Sequence, residues 1–155
     1  MGEPPMKHFA HLDALAHHVG GHLADSDWMV IEQSRIDLFA EATGDRQWIH
    51  VDTAQAEAGP FGSTIAHGFL TVSLLPAMRH EAFSIDDVRM GINYGLNRVR
   101  FPAPVPSGSR LRAQFRLLAF EPLPGGAQLT IEATIHREGS VKPVCVAELV
   151  SRHFV

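Results

Sequence analysis

The chain has 155 residues, 45% of them hydrophobic and 19% charged, and a formal charge of −4. That length fits one domain with a real core and leaves little room for a second. The charge offers no basic field for nucleic acid, and no basic amphipathic stretch suggests a membrane surface.

In chain order, residues 1–20 lack the continuous apolar core of a signal peptide. Phe9, Leu12, Leu15, Ala16 and Val19 instead have helical spacing, so a short helical lead-in over residues 7–20 is expected, closed by Gly20-Gly21. Trp28 to Ile31 reads as a brief strand. Ser34 with Asp37 three residues on resembles a capping box for a helix carrying Ile36, Phe39 and Ala40, and Gly44 ends that helix. One or two helical turns are expected over residues 53–58, before Gly59-Pro60-Phe61-Gly62 forces a turn.

The main helix is expected from Ala66 to Ala82, apolar almost all round between Ile65 and Leu75 and therefore buried on most sides. Its apolar run, broken by Thr71, Ser73 and Pro76, is too short to cross a bilayer. Val88, Met90, Ile92, Tyr94 and Leu96 then alternate with smaller or polar residues, and the phase shifts at Val99 and Phe101, which places a bulge near Asn97-Arg98. Leu111 to Leu117 and Leu129 to Ile135 repeat the alternation, and Val144 to Val150 supplies a last strand. Pro102-Ala103-Pro104-Val105-Pro106 is a stiff connection between strands. The class is α+β, a curved antiparallel meander wrapped around one helix. Its open sheet edges favour a homodimer. Cys145 is the lone cysteine and cannot form an internal disulfide, which fits a soluble protein of the cytoplasm.

Two short stretches carry chemistry. Asp45 and His50 are five apart, a spacing that separates them on a helix, but Gly44 breaks the helix and lets an irregular turn bring them together. Spacing alone equally allows Asp45 to cap a turn and His50 to be a buried, hydrogen-bonded histidine. Further on, the first N–H groups of the helix opening near His67-Gly68 lack partners, and a glycine there admits a ligand carbonyl. An acid/base pair beside such a donor suits chemistry at a thioester or another carbonyl. His8, His11, His17, His18 and His22 form no complete ligand set, so no metal is expected. Ser73 lacks the setting of a nucleophile.

The pattern Thr43-Gly44-Asp45-x4-His50, followed by Ile65-Ala66-His67-Gly68, resembles the MaoC-like (R)-specific enoyl-CoA hydratases of the hotdog superfamily. The longer run from Ile92 to Pro106 is similar to their NodN-type single-hotdog branch, and the likeness covers residues 25–155. It implies a single hotdog domain, an edge-to-edge dimer, and reversible syn hydration of trans-2-enoyl-CoA to (3R)-3-hydroxyacyl-CoA. Asp45 and His50 match the family's catalytic pair, and Gly68 the position whose N–H binds the thioester oxygen. No cofactor is implied, coenzyme A being part of the substrate. Gln47-Trp48 stands where the family usually has Asn-Pro, and Pro76 where some relatives carry serine.

Candidates for substrate contact are Trp48, read more readily as core, His67, which would steer the helix start, and Asn93 and Asn97, which would line a pocket mouth or pin the bulge. Among Arg98, Arg100, Arg110, Arg112 and Arg116, one or two would meet the coenzyme A phosphates. Two other functions fit the same residues: a hotdog acyl-CoA thioesterase, and a non-catalytic acyl-CoA-binding or partner subunit.

Overall fold

The computed structural model describes Gly2 and residues 4–155. The expected lead-in helix is corrected at its start: Lys7–Phe9 is a strand, β1, and the helical spacing is realised as a 3-10 helix, Leu12–His18. With three residues per turn, Leu12, Leu15 and His18 share one face. The two leucines enter the core, and the His18 ring meets Phe9 edge-on at 5.2 Å. Two short strands follow, β2 (His22–Asp25) and β3 (Met29–Ile31).

Helix α1 (Gln33–Thr43) begins directly after Glu32 and has no side-chain cap. The expected capping box is therefore absent, because Ser34 lies inside the first turn. Gln33 has a tertiary role instead, donating to Asp37 Oδ1 at 2.9 Å and to the His50 carbonyl at 2.7 Å. Gly44 closes the helix in the left-handed region, φ 81°, its N–H on the Ala40 carbonyl. Two small helices follow, α2 (Trp48–Val51) and α3 (Thr53–Glu57), the second capped by the Asp52 carboxylate on the Gln55 N–H at 3.0 Å.

The central helix is two pieces, α4 (Gly68–Ser73) and α5 (Leu75–Ala82). It starts two residues later than expected and breaks at Leu74, because Pro76 has no N–H to offer the Val72 carbonyl. The Leu74 N–H is shared between the carbonyls of Leu70 and Thr71, 3.2 Å from each. Burial is also one-sided. Leu70, Leu75, Met78 and Ala82 are in the core, whereas Phe69 is 75% exposed.

The chain then forms β4 (Phe83–Ile85), parallel to β1, and four long strands: β5 (Met90–Arg100), β6 (Ser109–Leu123), β7 (Gly126–Arg137) and β8 (Cys145–Phe154). Strands β6, β7 and β8 are the expected meander. Leu111, Ala113, Phe115 and Leu117 of β6 are fully buried, as are Leu129, Ala133 and Ile135 of β7. The meander does not extend to β5, which pairs with β8 rather than with its chain neighbour β6; the order is β2-β6-β7-β8-β5, with β3 also on β6. The proline-rich connection thus carries the chain across the width of the sheet. Register shifts bracket Asn97, where a bulge was expected, and also Tyr94. Along β5, Met90, Ile92, Tyr94 and Leu96 are exposed on an unpaired edge.

One buried group ties this fold to pH. His153 of β8 is 3% exposed, and burial, then Arg79 and His80, push its pKa down to about 4 from 6.5. Between those values the unfolded chain binds the proton that the folded chain refuses, so stability falls as pH drops through the window, by on the order of 3 kcal/mol. Denaturant unfolding at about pH 7 and about pH 4.5 should show this loss, and His153→Gln should lose measurably less between the same two conditions.

Candidate active site

Three side chains from separate elements converge where α1 ends and α4 begins. One donor atom each of Asp45, His50 and His67 lies within 4.8 Å of the others. Asp45 follows the Gly44 cap and is exposed, its Oδ1 accepting from the Gln47 N–H at 3.4 Å. His50 sits on α2 and is 6% exposed. Its Nδ1–H donates to the Ile65 carbonyl at 2.7 Å, and the Ile65 N–H returns to the Ile49 carbonyl at 3.0 Å. That bond sets the tautomer and leaves the Nε2 lone pair free. His67, 2% exposed, donates from Nε2 to the Asp45 carbonyl at 2.9 Å, and its Nδ1 is buried with no partner among the described residues.

The two imidazoles stack with centroids 3.8 Å apart and 23° between planes, and Phe39 covers the other side of His67 at 4.9 Å. Burial, first, holds the His50 pKa below 6.5; the bond to Ile65 opposes this, His67 adds to it, and Asp45 opposes it. A neutral His50 with a free lone pair is a base, and a carboxylate within 4.8 Å of it is spaced for one shared water. The same trio offers a metal three donors, but Nδ1 of His50 and Nε2 of His67 already donate to carbonyls. Stacked rings also send their in-plane lone pairs side by side rather than to one point, so the arrangement suits proton transfer better than ligation.

Gly68, next to His67, opens α4, so its N–H has no acceptor within the helix. A Cβ at Gly68 would lie 2.9 Å from the Phe101 ring, so only glycine fits this contact.

Asp45, His50, His67 and Gly68 are therefore gathered; Asp45 braces its turn and His50 is a buried, bonded histidine. Trp48 is half-buried, its ring packed so closely on Gly59 that a Cβ there would lie 3.1 Å away; it supports the loop. Asn93 borders a cavity whose helical lining begins at Val72, one turn past Gly68, while Asn97 is an exposed bulge residue and Arg100 is exposed with Nη1 donating to the carbonyl of the preceding Val99. Arg110 pairs with Glu138, Arg112 binds the Ser26 carbonyl and Arg116 that of Gly20. Sequence reasoning missed Gln33, which holds His50 through its carbonyl and accepts from Thr64 Oγ1. The one available signal was a long amide at the helix start, where no cap residue stood.

Residues 15–122 match the model of the MaoC like domain. The chain belongs to the MaoC-like dehydratase family. It is 52% identical over 149 residues to 3-hydroxyacyl-thioester dehydratase Z of Mycobacterium tuberculosis, covering 96% of this chain and 99% of that protein. It is 44% identical over 137 residues to nodulation protein N of Rhizobium leguminosarum bv. viciae, covering 86% and 84%. The solved R-hydratase PhaJ1 of Pseudomonas aeruginosa superposes with a TM-score of 0.70 at 27% identity, covering 87% of this chain and 81% of that one. The MaoC-like fold here is the hotdog, with α4 and α5 wrapped by the sheet.

The Gly68–Phe101 contact yields a direct test. Gly68→Ala should destabilise the protein by about 1–3 kcal/mol through overpacking. In a Phe101→Ala background the same substitution should cost clearly less, as a double-mutant cycle by urea unfolding would measure.

Proposed function

We propose that the chain is an (R)-specific enoyl-CoA hydratase, a hydro-lyase that adds water across trans-2-enoyl-CoA to give (3R)-3-hydroxyacyl-CoA and also runs in reverse. The observation that carries this reading is the convergence of the Asp45 carboxylate with a neutral, oriented His50 beside the first N–H of α4.

In the hydration direction, a water rests between Asp45 and His50. Its oxygen bonds to the β-carbon as His50 Nε2 takes one of its protons and Asp45 accepts a hydrogen bond from the other. The π electrons move through the α-carbon to the thioester oxygen, which the Gly68 N–H holds. The protonated imidazole then returns its proton to the α-carbon on the same face, so addition is syn and His50 ends neutral. Positioned acid/base groups contribute about 10²–10⁴-fold and an aimed oxyanion donor on the order of 10²–10³-fold. The names of the dehydratase and R-hydratase relatives support the reaction class. The exposed apolar residues of edge strand β5 support a homodimer joined there.

Purified protein incubated with crotonyl-CoA should lose enoyl absorbance without releasing thiol; thiol release would instead mark a thioesterase, and tight binding without either change a carrier. Asp45→Asn and His50→Ala should each lower turnover by at least about 10²-fold with folding intact. Because the His50 pKa lies below 6.5, hydration should hold down to that pH and decline below it as Nε2 is protonated, which a pH profile of kcat/KM would record. Light scattering should return a dimer's mass, and Ile92→Lys on the β5 edge should shift it toward monomer.

A further inference from the structure

A cavity of about 970 Å³ lies between the central helices and the β5–β8 side of the sheet. Its helical wall includes Val72 of α4, one turn past Gly68, and beyond the break at Leu74 it includes Pro76 and Arg79 of α5, so both pieces turn a face to the cavity. An acyl chain whose thioester sat at Gly68 would run into this space, whose volume is near the top of the usual ligand-pocket range.

The wall is mostly apolar, with Ser73, Ser84, Arg89, Asn93 and Ser151 among its polar members, and it holds one basic cluster. Arg79, His80 and His153 come together there, and among the described residues no acid lines the cavity with them. Among the described residues no carboxylate pairs with Arg79; its guanidinium lies 5.3 Å from the Phe83 ring centroid. Glu81, two residues on, is exposed and makes no ion pair with it; farther along, Asp86 is turned toward His8 and Ser84, and Asp87 to the Leu12 N–H and His11. Burial lowers the proton affinity of Arg79, and Arg79 in turn helps lower that of His153 and His80. A guanidinium drawn into an apolar cavity without a counter-ion is costly, unless a ligand brings the acceptor.

We propose that the acyl group of the substrate carries an anionic oxygen group at its far end, a carboxylate in the simplest case, and that Arg79 binds it in this cavity. This rests on the hydratase reading for the position of the thioester. Eleven residues of helix span about 16 Å, and helical side chains lean back toward the N terminus, which places the carboxylate roughly eight to twelve carbons from the thioester carbonyl. The planar guanidinium suits a bidentate pair with such a group, and Ser151 and His153 on β8 provide polar neighbours.

The test compares trans-2-decenoyl-CoA with its ω-carboxy counterpart, trans-2-decenedioyl-CoA. The wild-type protein should favour the diacid ester by at least about tenfold in kcat/KM, the size expected of a hydrogen-bonded charge pair. Arg79→Met should collapse that ratio toward one, and Arg79→Lys should keep part of it. A wild-type ratio near one, or a ratio that Arg79→Met leaves unchanged, overturns the proposal; equal loss on both esters is such a case and would place the arginine against coenzyme A. If neither ester is hydrated, the hydratase reading fails separately, and calorimetry decides the point: tighter binding of the diacid that Arg79→Met removes supports it, and equal binding overturns it.

Discussion

The site depends on a three-residue extended segment, Thr64 to Ala66, whose backbone groups bind in two directions. Toward α2, Ile65 exchanges bonds with Ile49 and with the His50 ring. Toward the proline-rich connection, Thr64 accepts from Ser107 and Ala66 donates to Val105, both within 2.9 Å. Gln33 closes the frame from α1 by accepting from Thr64 and donating to His50. Loops are ordinarily the mobile part of a fold. Here four backbone groups and one hydroxyl of the segment are answered from α1, α2 and the proline-rich connection, so the imidazole inherits the rigidity of that frame.

Much of the fold was legible because it rests on local rules. Leu111 to Leu117 and Leu129 to Ile135 alternate in the chain and are buried in alternation, and Gly44 occupies a left-handed position that suits glycine. The bulge at Asn97 followed from a change of apolar phase. What stayed hidden depends on distant partners. No local pattern says that β5 pairs with β8 instead of β6, or that Gln33 gives its side chain to a carbonyl 17 residues away. The helix break at Leu74 was in the sequence all along, in the missing N–H of Pro76.

The candidate site divides in the same way. Gly44 made the approach of Asp45 and His50 readable, because it ends a helix that would have kept them apart. The place of His67 was not readable: it comes from ring stacking between segments 17 residues apart and from a bond to the Asp45 carbonyl. The result is two histidines of different use within one stack. His50 keeps a free Nε2 lone pair, and His67 fastens the Asp45 backbone to the helix start.

The Phe101 ring on the bare Cα of Gly68 has a further consequence. Phe101 directly follows β5, the strand with the open edge, while Gly68 carries the candidate oxyanion donor. With no side chain between ring and backbone, a displacement of the edge strand has little slack to absorb it before the donor moves. Whatever docks on that edge and whatever binds at the helix start would therefore be energetically linked, and the linkage is reciprocal: each would adjust the affinity of the other by the same factor.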